Sequence, residues 1–334
     1  MFHTLTADTA NELWIKAAYM FCDDGPAIDQ SGRGGPTQEV MHVGLTLNAP
    51  RQRWISARIP AMNPAFAIAE VIWIMCGRND SALLNFFNPQ LPRFAGSGIT
   101  YQGAYGYRLR KFFGIDQFER AERALSMNPS TRQVVMQIWD TNSDFPDADG
   151  SPMNKDIPCN IASLLKVRNN RLEWTQIMRS NDLFRGFPHN VIQFSTIQEV
   201  LSGWLGLEPG PYHHYSDSLH LYDGDSDVPS HTDLVALPFN TDSLAIKKDE
   251  SENAFQILSE FCDKLVRPDM PPKSILDLSS NIALPKGHHN FAIVLAADAL
   301  RRRGMQEEAS ALMQQCTNGC LRFMFERWMK RCHG

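Results

Sequence analysis

The sequence lacks the segments and clusters that mark membrane, secreted and metal-binding proteins. No stretch approaches the roughly 20 consecutive apolar residues that span a bilayer. The N-terminus has neither a basic start nor a clean apolar run, so we expect no signal peptide. The seven cysteines include no CxxC pair followed by a matching His/Cys pair, so we expect no metal site. These absences predict a cytoplasmic protein with reduced thiols.

An excess of positive charge is also absent. The 334 residues carry a formal net charge of -5, so no overall basic field predicts binding to nucleic acid or to a membrane surface. A small anionic substrate would therefore need a local cluster of arginines. With 43% hydrophobic residues, the chain can bury a core as one large domain or two smaller ones.

The spacing of apolar residues predicts both helices and strands in the first two thirds of the chain. Helical spacing covers residues 9–20, 64–76 and 190–204. Patterns typical of strands cover residues 41–48, 132–139, 161–167, 171–178 and 219–222. The sequence therefore predicts an α+β protein with a mixed sheet packed against helices.

The remaining segments predict an irregular loop near the N-terminus and mostly helices towards the C-terminus. Residues 23–39 are rich in glycine and proline, which predicts an irregular loop. Helical spacing returns at 252–266, 290–303 and 305–330, with a proline-rich linker at 267–274. We therefore expect a catalytic domain over residues 1–235 and a mostly helical C-terminal extension over 236–334.

Cys159 is a candidate nucleophile. It follows a proline in the segment DIPCN, between a loop rich in Asp and Pro and an apolar strand. A thiol is a strong nucleophile as the thiolate, which needs nearby positive charge or hydrogen-bond donors. A single cysteine is more often structural, so this segment alone leaves both interpretations open.

Two polar segments further along could bind a nucleotide. In MRSNDLFRGFPHN, Arg179 could hold a phosphate by a bidentate contact, and the Asn190 amide can donate and accept as a pyrimidine edge requires. The alternative is that Arg179 and Asp182 pair with each other on a surface turn. In DSLHLY, His220 and Tyr222 share one strand face and could donate to a sugar hydroxyl, unless they form an ordinary polar face.

Taken in order, these segments resemble the thymidylate synthase and pyrimidine nucleotide (dCMP, dUMP, CMP) hydroxymethylase superfamily. That family has a Pro-Cys nucleophile, then Arg-Ser-x-Asp with Gly-x-Pro-x-Asn, then Gly-Asp-x-His-x-Tyr; the chain has PC, RSND with GFPHN, and DSLHLY. An upstream Glu70-x-x-Trp73 and a Tyr105-Gly106 pair also match. The resemblance covers roughly residues 10 to 225.

The resemblance implies a covalent mechanism. Cys159 would add to C6 of the pyrimidine, and C5 would then attack the one-carbon group of 5,10-methylenetetrahydrofolate. Glu70 would organise the water that handles protons near O4 and the folate. Tyr105 would take part in proton removal at C5, so both residues are expected to be catalytic, together with Asp182 and Asn190.

The resemblance also implies the binding contacts of the substrate and the cofactor. Asn190 would read the base edge, and His220 and Tyr222 would hold the deoxyribose 3′-hydroxyl. Asp182 would hydrogen-bond the pterin. The residues expected at the cofactor are Glu70, Trp73, Asp182 and Gly186.

The phosphate contacts depart partly from the family pattern. Arg179 and Ser180 would bind the phosphate, joined by Arg132 from the partner subunit if the family homodimer is kept. The usual second arginine beside Arg132 is a glutamine in TRQ, and Gln30 stands where the phosphate-loop arginine usually lies. Arg33 is the candidate to replace that arginine.

Three departures favour a hydroxymethyl over a methyl product. No tryptophan pair precedes the Tyr-Gly motif, the short apolar C-terminus that caps the folate is replaced by RFMFERWMKRCHG, and Asn160 follows the nucleophile in place of histidine. These changes predict that water reaches the exocyclic methylene. Asn190 complements uracil, which favours dUMP over dCMP, and CMP stays open. The alternatives are a true thymidylate synthase and a pseudoenzyme that binds nucleotide or RNA.

Overall fold

The fold contains a mixed sheet in a computed structural model that describes residues 1–22, 24–32, 34–225 and 236–333. Its strands are β1 (His3–Ala7), β2 (Ile28–Gly32), β3 (Gly35–Leu47), β4 (Val135–Gln137), β5 (Asn160–Arg168), β6 (Arg171–Met178), β7 (Asn181–Asp182) and β8 (Glu208–Tyr222). The order is β1-β3-β8-β6-β5-β4, with β2 beside β3 and β7 beside β8. The pairs β1–β3, β6–β8 and β7–β8 are parallel, and the other pairs are antiparallel.

Helices pack against this sheet and against one another. They are α1 (Ala10–Ala18), α2 (Pro64–Met75), α3 (Ser81–Phe87), α4 (Leu91–Ala95), α5 (Tyr105–Tyr107), α6 (Gln117–Met127), α7 (Thr141–Asp144), α8 (Phe187–Leu205), α9 (Lys248–Leu265), α10 (Pro272–Asn281), α11 (Lys286–Arg301), α12 (Gln306–Met313) and α13 (Gly319–His333). Helix α8 contacts β6 and β8, and α2 contacts α8, α9 and α11. The predicted α+β class with a mixed sheet is therefore confirmed.

Capping residues in the sequence mark the start of helix α2 and the end of helix α8. The Asn63 side chain accepts from the backbone N–H of Ala65 (2.9 Å), and Pro64 occupies the first turn of α2, where its missing N–H costs nothing. Every residue of α2 except Glu70 is buried. Helix α8 ends at Gly206, whose φ of 67° is favoured by glycine. Both helices therefore lie in the core, and Glu70 is the polar exception on α2.

A buried ion-pair cluster fixes α8 to the rest of the chain. The Glu199 carboxylate on α8 lies against the guanidinium of Arg53 and 2.8 Å from that of Arg51. Burial alone would raise the pKa of Glu199, but the two arginines outweigh it and lower the pKa below its ordinary value. Glu199 also accepts from the backbone N–H of Leu244 at 3.1 Å. The segment that precedes α9 is thus tied directly to the central helix.

The helices after residue 247 share the core of the sheet-bearing part. Buried side chains from α9 and α11 belong to the same apolar cluster as those of α2 and α8. The division into domains over 1–235 and 236–334 stays a prediction.

The structure differs from the sequence-based prediction in several segments, of which four show the physical reason. The loop predicted at 23–39 contains β2 and the start of β3, because backbone pairing across the hairpin needs no apolar alternation. The strand predicted at 132–139 is only three residues long, as β4. The proline-rich linker opens α10, since a proline in the first helical turn is tolerated. The helix predicted at 305–330 is interrupted before α13, where the Asn318 side chain accepts from the N–H of Cys320 (3.0 Å).

His288 in α11 is expected to make the protein acid-sensitive. Its ring is buried against Phe255 (5.1 Å between ring centroids), and neither ring nitrogen has a hydrogen-bond partner. Burial lowers the pKa of His288 to about 4. The folded-state pKa of His288 lies below the unfolded value near 6.5. Protonation of His288 therefore does not affect stability above pH 6.5, and it lowers the free energy of unfolding increasingly as the pH falls towards 4. His288→Leu should therefore remove about 2 kcal/mol of the stability loss between pH 7.5 and pH 5.

Urea unfolding at both pH values measures this difference. His289→Leu, at the half-exposed neighbouring position, is the matched control and should leave the pH dependence of the wild type. Parallel pH profiles for the wild type and His288→Leu would contradict the prediction.

Candidate active site

A cleft of about 1320 Å³ collects most of the residues singled out by the sequence. Its walls come from α2, α5, the start of β5, the β6–β7 turn, the first turns of α8 and the end of β8. Ten predicted site residues line it, namely Glu70, Tyr105, Cys159, Arg179, Ser180, Asp182, Gly186, Asn190, His220 and Tyr222. Segments far apart in sequence therefore meet in one pocket.

Three predicted site residues are not among the described residues that line the cleft. Arg33 falls outside the described residues. Arg132 is exposed, just before β4, and does not line the cleft of its own chain. Trp73 is 5% exposed and donates its indole N–H to the carbonyl of Asp80 (2.9 Å). Its ring is therefore engaged in core packing, and its contact with the cofactor stays a prediction.

Backbone contacts with Arg179 hold the half-buried Cys159. The backbone N–H of Arg179 donates to the carbonyl of Cys159 (3.0 Å). The Arg179 guanidinium donates to the carbonyls of Pro158 (3.1 Å) and Ile157 (3.3 Å). The loop that carries the thiol is therefore tied to a cation, and a nearby positive charge favours the thiolate.

Tyr105 shares this part of the cleft. Its poorly solvated position raises the pKa of the phenol well above the ordinary value, and the neighbouring Cys159 adds to the rise. A hydrogen bond with the Asn160 side chain acts in the opposite direction but does not cancel it. The hydroxyl therefore stays protonated at neutral pH and can donate a hydrogen bond.

Glu70 is paired with a histidine that the sequence analysis missed. The His189 Nδ1 atom lies 2.7 Å from a carboxylate oxygen of Glu70, and both side chains are 16% exposed. The His189 ring also packs against Phe66, with 4.9 Å between centroids. His189 precedes Asn190 in the GFPHN segment, so its position in the motif was the available signal. A carboxylate–imidazole pair can bind a water molecule and move a proton.

Parallel pairing of β7 with β8 brings Asp182 beside His220. The Asp182 carboxylate accepts from the backbone N–H groups of Phe184 (2.8 Å) and Arg185 (2.7 Å). Burial raises the pKa of Asp182, although these hydrogen bonds act in the opposite direction. Burial also lowers the pKa of His220, although the negative charge of Asp182 acts in the opposite direction. A neutral His220 can both donate and accept at a sugar hydroxyl.

The cleft also holds cations that motif analysis did not reveal. Arg58 is buried over the Phe184 ring, 4.0 Å from its centroid, and donates to the Phe184 carbonyl (2.7 Å). Burial, followed by the charge of Arg331, lowers the pKa of Arg58 to about 10. Arg331 and Trp328 reach the cleft from α13. No local motif marks these residues, because they meet the site through the packing of the last helix.

Two further features are absent from the part of the chain that the structure describes. No helix there has the length and apolar character needed to cross a bilayer. Likewise, no group of three or more His, Cys, Asp or Glu side chains there could hold a metal ion.

The thymidylate synthase family model matches residues 38–263 of the chain. This range contains the described cleft residues from Glu39 to Asp225 and ends within α9. The match therefore covers the catalytic candidates and the first of the C-terminal helices.

Relatives carry two related names. The chain is 31% identical over 231 residues to a deoxyuridylate hydroxymethyltransferase of Bacillus phage SP01, an alignment that covers 66% of this chain and 59% of the relative. It is 34% identical over 163 residues to a protein of the same name from Pseudomonas phage M6, covering 48% and 45%. A thymidylate synthase of Clostridium beijerinckii is 26% identical over 207 residues, covering 60% and 73%. The chain thus spans less than two thirds of either phage relative.

Proposed function

The chain belongs to the thymidylate synthase family, and on that premise we propose that it hydroxymethylates C5 of dUMP. The observation that carries this proposal is the meeting of Cys159, Tyr105, Asn190 and the Glu70–His189 pair in one cleft. The names of the two phage relatives support the choice of a hydroxymethyl product and of a deoxyuridylate substrate.

The chemical step begins with a covalent bond to the enzyme. The Cys159 thiolate adds to C6 of the pyrimidine, which leaves negative charge shared by C5 and O4. Asn190 holds the base edge, while His220 and Tyr222 hold the 3′-hydroxyl of the sugar. Arg179 binds the phosphate in addition to supporting the nucleophile loop. The protonated Tyr105 donates a hydrogen bond to the water molecule that would accept the C5 proton before Cys159 is released.

The residues of the cleft fit 5,10-methylenetetrahydrofolate, which supplies the one-carbon unit. Phe66 and Trp328 offer aromatic surface to a flat pterin and its benzoyl group. Burial is the main cause of the lowered pKa of Arg58, and repulsion by the charge of Arg331 adds to it. A glutamate carboxylate between them would relieve that repulsion. Asp182 is the proposed hydrogen-bond partner of the pterin.

Water is the proposed final nucleophile at the exocyclic methylene. The Glu70–His189 pair supports this outcome, because a carboxylate 2.7 Å from an imidazole can bind and deprotonate a water molecule. Thymidylate synthesis from dUMP is the second candidate, favoured by the name of the Clostridium relative. The two reactions share every step up to the exocyclic methylene and differ in whether water or hydride attacks it.

Product analysis tests the proposal directly. The protein is incubated with 5,10-methylenetetrahydrofolate and each of dUMP, dCMP and CMP, while mass spectrometry follows the nucleotide and near-ultraviolet absorbance follows dihydrofolate. We expect hydroxymethylated dUMP without dihydrofolate. Stoichiometric dihydrofolate with methylated dUMP would identify a synthase instead. Nucleotide binding with no product and no adduct on Cys159 would indicate a pseudoenzyme.

We also propose a cytoplasmic homodimer in which Arg132 completes the phosphate site of the partner subunit. Its exposed position before β4, outside the cleft of its own chain, supports this arrangement. No nucleic acid is required.

Subunit mixing should reveal the shared site. Arg132→Ala and Cys159→Ala proteins are each expected to be inactive. After subunit exchange, one site of each hybrid dimer regains both groups, and activity should return to about a quarter of the wild-type value because half of the dimers are hybrids. Steady-state turnover of the mixture measures the recovery.

The matched control mixes Arg179→Ala with Cys159→Ala. Both of these residues belong to the same chain's cleft, so no hybrid site is complete and no recovery is expected. An Arg132 mixture that stays inactive after confirmed exchange would contradict the shared site.

A further inference from the structure

A continuous chain of buried side-chain hydrogen bonds leads to the base-reading residue. The indole N–H of Trp174 donates to Gln176 Oε1 (3.2 Å), and Gln176 Nε2 donates to Asn160 Oδ1 (2.8 Å). Asn160 Nδ2 donates to Asn190 Oδ1 (3.2 Å), and Asn190 Nδ2 donates to Asn181 Oδ1 (3.3 Å). These five side chains, which we call the amide relay, are at most 6% exposed. Water therefore has little access to compete with the relay.

One end of the amide relay can bond in one direction only. An indole N–H donates and never accepts, so the oxygen of Gln176 must face Trp174. Gln176 then presents its amide nitrogen to Asn160, and each following amide accepts from the one before it. At the other end, Asn181 Nδ2 donates to Ser216 Oγ (3.0 Å) and lies 3.0 Å from His214 Nε2, which accepts when the ring carries its proton on Nδ1. The Trp174 end therefore gives every amide of the relay one orientation.

This polarity determines what Asn190 can offer a ligand. A free asparagine can exchange its oxygen and nitrogen by rotating, and so can match either uracil or cytosine. Rotating Asn190 alone would set its Nδ2 against Asn160 Nδ2 and its Oδ1 against Asn181 Oδ1. Two buried hydrogen bonds would be lost, and unpaired buried polar groups are costly.

We propose that the amide relay fixes the orientation of the Asn190 amide and thereby sets the preference for uracil over cytosine. Gln176 and Asn160 are positioning residues in this scheme, since they act through Asn190. The inference rests on the proposed function for its nucleotide substrate and adds the residues that select the base.

Reversal of the relay at Gln176 is the decisive test. Gln176→Glu keeps the shape and still accepts from Trp174, but it cannot donate to Asn160. Asn160 and Asn190 should then rotate, and the ratio of dUMP to dCMP affinity should fall at least about tenfold, since a reversed donor–acceptor pair is left unmatched. Gln176→Met, which removes the donor without adding charge, should lower the same ratio severalfold and carries the test if the Glu variant does not fold.

Equilibrium dialysis with each nucleotide, without folate, gives the two affinities independently of turnover. Ser163→Ala is the matched control: Ser163 also donates to Gln176 Oε1 (2.6 Å), but its loss leaves the Trp174 end in place. The control should keep the wild-type ratio.

The outcomes separate the amide relay from the proposed function. An unchanged ratio in folded Gln176 variants, or an equal loss of affinity for both nucleotides, overturns the relay and leaves the function intact. A wild-type protein that prefers dCMP overturns both the proposed substrate and the uracil preference assigned to the relay. A wild-type protein that binds neither nucleotide overturns both.

Discussion

Replacing Cys159 by serine is expected to lower turnover at least about 1000-fold, which corresponds to roughly 4 kcal/mol of lost transition-state stabilisation. A serine hydroxyl is not ionised at neutral pH, whereas a thiol beside a cation reaches the nucleophilic thiolate. The shapes of the two side chains are similar, so dUMP affinity should stay close to that of the wild type. Steady-state turnover and nucleotide titration measure the two effects separately.

Cys22→Ser is the matched control for Cys159→Ser. Cys22 is an exposed free cysteine that does not line the cleft, so its replacement should leave turnover unchanged. A Cys159→Ser protein that retains turnover within about tenfold of the wild type, a loss of only ~1.4 kcal/mol, would rule out the covalent mechanism.

Replacing Arg108 by methionine is expected to destabilise the fold by about 3–5 kcal/mol, because it leaves a buried carboxylate without its partner. The Arg108 guanidinium is fully buried and holds both oxygens of Asp144, one of them at 2.8 Å. It also donates to the carbonyl of Ile138 (3.0 Å). Asp144 lines the cleft, and Arg108 lies one helical turn after Tyr105. The same pair therefore supports both the core and one wall of the site.

Urea unfolding of a short variant series tests this assignment. Arg108→Met combined with Asp144→Asn removes the stranded charge and keeps an acceptor for the backbone N–H of Asp140, so it should be more stable than Arg108→Met alone. Arg267→Met breaks an exposed pair with Asp269, 59% and 68% exposed, and should leave the stability close to that of the wild type. If the double variant is no more stable than Arg108→Met alone, the unpaired charge of Asp144 is not the cause of the lost stability.

The sequence by itself determined the fold class and most of the candidate site. Strand β6 follows the predicted bounds, and α2 ends one residue short of its predicted end, because alternation and helical spacing are local signals. Cys159, Arg179, Asn190 and His220 could be identified because each lies in a short segment with its own order of residue types. The topology then brought these segments to one cleft, as the resemblance implied.

Only the tertiary structure decided how the site residues are oriented and what surrounds them. Glu70 and His189 lie 119 positions apart in the chain, and Arg331 lies 273 positions after Arg58, so no local pattern connects the members of either pair. The interrupted C-terminal helix depends on bonds made by Asn318, not on periodicity.

The orientation of Asn190 shows the physical reason most clearly. An asparagine in a sequence has no fixed donor side, because its amide can rotate and serve either base. That choice is made by Trp174, whose indole N–H can only donate and whose direction is passed to Asn190 through Gln176 and Asn160. The sequence determined which group reads the base, and the packed structure decided which way that group faces.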